Sequence, residues 1–147
     1  MSTLNKELVK EVIAFMRKYP FDVEMAHWLG ADGASISSCG TTGCIAGIAC
    51  FLTDEKKPET LNQFAKNRTT LDEAIYDIPS RAKKLLRLEY SDNVFQEAEW
   101  PYPFDSQMHD ARMDYMMARD CQEKSKLRKK MTNITIARLE HLLEHGE

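Results

Sequence analysis

With 147 residues, 43% of them hydrophobic and 29% charged, the chain carries enough apolar material for one packed domain without a disulfide or structural metal, and the disordered class is excluded. Twenty basic residues against 23 acidic ones leave a formal net charge of -3, which excludes a global electrostatic pull toward nucleic acid or an anionic membrane. Residues 1–7 are polar and lead into an amphipathic pattern, so neither a secretory signal nor a membrane anchor is expected there; the expected location is cytoplasmic, with the cysteines reduced.

In residues 4–18 the apolar side chains Leu4, Leu8, Val9, Val12, Ile13, Phe15 and Met16 recur at helical intervals between charged ones, which predicts a surface helix. Ser2 or Thr3 supplies the expected N-cap, and Tyr19-Pro20 ends the helix because a residue before proline is pushed out of the α region. Residues 21–28 read as an irregular segment that pins Phe21, Met25 and Trp28 to the core. The small and polar residues 30–38 read as loop.

Residues 39–50 are the most unusual stretch, holding three of the four cysteines and three of the six glycines. Residues 44–52 predict a short, almost wholly buried helix with Thr41 or Thr42 as N-cap, and Ala46, Gly47 and Ala49 would let another element approach its backbone. Residues 53–58 form the exit loop. A brief helix is expected over residues 58–66, carrying Leu61, Phe64 and Ala65. Thr70 and Glu73 then make a capping box that opens a helix with Leu71, Ala74, Ile75 and Ile78.

Pro79 divides that helix from the next, whose stripe is Ala82, Leu85, Leu86 and Leu88. Residues 91–98 predict a short helix with Val94 and Phe95 inward. The run Trp100-Pro101-Tyr102-Pro103-Phe104 cannot be helix interior, and its aromatics are expected to cap the core from outside or line a groove. A long helix over residues 105–130 carries Met108, Met113, Met116 and Met117. A last one over residues 132–144 has Thr132 as cap, Ile134, Ile136, Ala137, Leu139, Leu142 and Leu143 inward, and Gly146 just past its end. Six or seven helical segments without a convincing strand pair make the expected fold all-α: a compact single-domain multi-helix bundle with a short buried central helix.

The order of motifs resembles a group of small uncharacterised bacterial and phage proteins. The resemblance is carried by Phe21-Asp22 leading to Trp28, by Cys39-Gly40-Thr41-Thr42-Gly43-Cys44-Ile45-Ala46-Gly47-Ile48-Ala49, by Ala82 to Leu88 with Val94-Phe95, and by Arg138-Leu139-Glu140 in the closing helix. It implies a shared fold and a shared pocket, with no activity to carry over. The Met-rich residues 107–130 are additional to the pattern, which points to a specialised role for them.

Four chemistries fit residues 39–50 and the Met-rich segment. A thiol at a helix start is favoured as thiolate by the helix dipole, so Cys39 or Cys44 is a candidate nucleophile, with His27 as its base; burial as small hydrophobes is the competing use. Cys39 and Cys44 are spaced acceptably for two zinc ligands, but no second pair exists and Cys121 stands apart, so no metal and no cofactor is expected. The amides from Gly40 to Cys44, with the Thr41 and Thr42 hydroxyls and Gly43, form a cradle suited to a carboxylate or phosphate, an internal Asp22 or Asp32 included. Trp100, Tyr102, Phe104, Met113, Met116 and Met117 are residue types enriched at interfaces. The basic cluster Lys124, Lys126, Arg128, Lys129 and Lys130 lacks the interleaved aromatics of a single-strand binder, so nucleic acid is not the expected ligand. The favoured expectation is a non-enzymatic protein that binds a protein partner or its own copies, by occlusion of a host protein in a phage-related setting; a cysteine-dependent enzyme or small-anion binder is the alternative.

Overall fold

Asn5 opens the first helix and closes another. In the computed structural model, which describes residues 4–22, 45–59, 64, 78–88, 93–95 and 99–146, its side-chain Oδ1 accepts the Leu8 amide at 3.2 Å, satisfying a first-turn donor that has no partner within the helix. Helix α1 therefore runs Lys6–Lys18, and Asn5 takes the capping role expected of Ser2 or Thr3. The Asn5 Nδ2 group donates to the Leu85 carbonyl at 3.0 Å, and its backbone N–H donates to Leu86 at 2.9 Å. Those carbonyls end helix α3 (Ile78–Leu86), so one residue satisfies orphan groups of two helices.

Helix α2 (Ile45–Leu52) is apolar all round, and residues 45–50 are all buried, as a helix enclosed by its neighbours must be. The Thr53 hydroxyl donates to the Ala49 carbonyl at 2.9 Å where the helix stops. The rings of Phe15, Phe51 and the fully buried Phe64 follow one another edge-on at 5.6 and 5.9 Å and bind α1 to α2. The remainder of the helix expected over residues 58–66, and the capping box of Thr70 and Glu73, lie outside the described residues.

In α3, Ala82 and Leu86 are buried and Leu85 packs against the core with Leu88, as the stripe predicts. Arg87 takes the left-handed conformation, φ 58°, while its N–H reaches the Lys84 carbonyl and that of Leu88 reaches Lys83, the paired bonds that close a helix end. Val94 and Phe95 face inward from a 3-10 turn, Asn93–Phe95. Phe21, in the 3-10 turn Pro20–Asp22, is half exposed rather than pinned inside; Met25 and Trp28 lie outside the described residues.

The C-terminal third departs from expectation in where it divides. Helix α4 spans Phe104–Met117 and α5 spans Cys121–His145, with the break at 118–120 instead of near residue 131. Ala118 is extended (ψ 140°), and Asp120 accepts the Glu123 amide at 2.7 Å as the N-cap of α5. Thr132 is consequently no cap. It is buried in mid-helix, and its hydroxyl donates to the Pro20 carbonyl at 2.6 Å. Ala137 is exposed, and Arg138 takes the inward position beside it. Gly146, at φ 77°, ends α5 in the left-handed conformation with its N–H on the Leu142 carbonyl.

Helix α1 is the shared element: α2 and α3 pack on it and on each other, α5 packs on it as well, and α4 lies along α5. The outcome is a compact all-α bundle, with no strand among the described residues. None of the described helices is long and apolar enough to cross a membrane.

Candidate functional site

Helix α4 carries two apolar stripes. Phe104, Met108, Ala111 and Tyr115 recur at three- and four-residue steps; Met108 and Ala111 are buried, and Phe104 and Tyr115 pack against the core. Met113, Met116 and Met117 follow the same period about half a turn away, so they lie on the opposite face, and they are 46%, 71% and 76% exposed. Tyr102, just before the helix, is 82% exposed. Asp110 and Asp114 border one side of the methionine stripe and Arg112 the other, which gives an apolar centre with a charged rim.

No family model matches this chain, and no curated protein or solved structure matches it. What the surface can do is therefore argued from its own chemistry. Thioether side chains are unbranched and polarisable and adapt to irregular partner surfaces. Covering three that are this exposed contributes about 1–2 kcal/mol each by area, which offsets part of the cost of association.

Two of the expected interface residues have other roles. Trp100 is only 2% exposed, and its indole N–H donates to the Val94 carbonyl at 3.0 Å, so it is core that ties the 3-10 turn down. A Trp followed directly by proline still carries the largest apolar side chain in the run, and here burial takes it. Phe104 is half-buried with its ring 5.3 Å from His141, on the inner side of α4. Tyr102, Met113, Met116 and Met117 remain as the exposed set.

His27, Cys39, Gly40, Thr41, Thr42, Gly43 and Cys44, the candidates for thiol chemistry or an anion cradle, lie outside the described residues. Of the other cysteines, Cys50 is buried in α2 and Cys121 is exposed at the start of α5. Among the described residues no three His, Cys, Asp or Glu side chains gather as a metal site.

Arg138, which the sequence marks only as part of the Arg138-Leu139-Glu140 motif, is a buried charge that was not expected among the inward residues. It is buried on α5 and engaged with its surroundings, as a guanidinium that cannot lose its charge must be. Its spacing from Ile134 and Leu142, four residues either way, is the signal that places it on the apolar stripe.

Proposed function

We propose that this chain is a non-enzymatic binding protein that docks a protein partner through the outward face of α4. The observation that supports this reading is the stripe of Met113, Met116 and Met117, turned away from the helix face that already has a core to pack on. Nothing in the internal packing of α4 requires apolar side chains there, because Met108 and Ala111 supply its buried contacts. The resemblance to small bacterial and phage proteins suits action by occlusion of a host protein, and the extra length of the Met-rich segment suits a contact particular to this member.

The test is a Met113→Lys/Met116→Lys variant used as bait beside the parent chain in lysate from the host. Its thermal midpoint is expected within a few degrees of the parent, since exposed substitutions shift stability by about 0.5 kcal/mol or less. The partner recovered by the parent is expected to be missing. Recovery of the same partner by both, or a monodisperse parent monomer that recovers none, overturns the reading.

A further inference from the structure

We propose that His141 and His145 form a two-imidazole chelate for a transition-metal dication of the Zn2+, Ni2+ and Cu2+ class at the C-terminal end of α5. The two residues are four apart on a regular helix and so share a face. Their ring centroids are 4.4 Å apart with the planes tilted by 44°. A metal binds imidazole nitrogens at about 2.0–2.1 Å, and rotation of the exposed His145 side chain brings its ring to share an ion with His141.

The surroundings make the pair more than two adjacent surface side chains. The edge contact between Phe104 and His141, 5.3 Å between centroids, fixes the setting of the first imidazole, which is half-buried. His145 is exposed and leaves the approach open to an ion that keeps water in its remaining positions. The Glu144 carboxylate stands 3.8 Å from the His145 ring, giving a dication a negative neighbour. Helix α5 ends at His145, where the carbonyl-rich pole of the helix also favours positive charge. Imidazole is the donor that suits zinc, nickel and copper, whereas magnesium and calcium require oxygen-rich sites, so the ion class follows from the ligands. With two protein ligands this is an open surface chelate, unlike a closed structural site.

Titration of the full-length chain with NiCl2 or ZnCl2, followed by calorimetry and by thermal melting in a non-chelating buffer, tests the site. One ion per chain and a raised melting midpoint are expected, because a ligand bound only by the folded state stabilises it. His141→Ala and His145→Ala should each abolish the isotherm at concentrations that saturate the parent, since either loss leaves a single imidazole. His109→Ala and Cys121→Ser, which remove a histidine on α4 and the exposed thiol, should leave it unchanged. His145 is exposed in the last turn, so its variant keeps the fold and decides the matter alone: a His145→Ala chain that binds nickel as the parent does overturns the proposal, as does loss of the isotherm in Cys121→Ser.

Discussion

Thr132 shows how much one hydroxyl can organise. Its bond to the Pro20 carbonyl fastens the exit of α1 to the middle of α5, and one turn earlier Arg128 donates to the Phe21 carbonyl at 3.0 Å. Thr132→Val keeps the shape and removes the donor, leaving a part-buried acceptor unmatched; a loss of about 1–3 kcal/mol is expected in urea unfolding, with Thr132→Ser closer to the parent. Equal stability of the Val variant would show that Thr132 acts by packing alone. By contrast, Arg17 and Glu140 meet at 3.1 Å with both side chains more than half exposed, and such pairs contribute about 0–1 kcal/mol. In the sequence Thr132 is visible as a polar residue at the head of an apolar run. That pattern is shared by a helix cap and by a buried hydroxyl, and only the neighbouring Pro20 distinguishes them.

At the scale of elements, the stretches that sequence reading recovered are those with one apolar stripe and one reason for it. The α1 pattern, the wholly apolar α2 and α3 with Pro79 in its first turn each pose a single packing problem, and each lies within a residue or two of where its residues predict. Ile78, however, opens α3 instead of closing the helix before it, and Leu88 lies past its end. The α4–α5 division was harder to read because α4 is apolar on two opposite faces and the first ten residues of α5 are almost all polar, so hydrophobic periodicity marks no boundary between them. The deciding signal is Asp120 followed by Glu123, a cap signature that carries little weight without an apolar run behind it. Asp120→Ala is expected to cost about 1 kcal/mol, with amide chemical shifts reporting lost helicity over residues 121–124. Shift changes beyond Met131 would mean that this cap governs the whole helix instead of its first turn.

The whole molecule depends on α1. Because it packs on α2 and α3 and also on α5, neither group keeps its buried face without it. Met16 is fully buried there, and Met16→Ala is expected to cost about 2–5 kcal/mol. Far-UV circular dichroism and tryptophan fluorescence should still report one shared transition; two separated transitions would show that the groups unfold independently. The all-α class was legible at this scale, since 3.6-residue periodicity recurs along the chain and no alternating segment finds a partner. The thiol and anion-cradle candidates occupy residues outside those described, so the site that can be built from geometry is the one on α4, where composition indicated interface residues but could not separate buried Trp100 from exposed Met116.

The late start of burial in α5 sets how this helix opens. Its 25 residues span about 37 Å at 1.5 Å per residue, yet its buried side chains begin at Met131. A single uninterrupted helix thus crosses from a solvent-facing end, held by the Asp120 cap, by Lys124 beside the Tyr115 ring and by the Arg128 bond to the Phe21 carbonyl, into the core. Native-state amide hydrogen exchange should run as a gradient along it, fast over residues 122–130 and approaching the global unfolding limit between Ile134 and Leu142. Uniform protection along its length would mean that the outer turns are covered in solution.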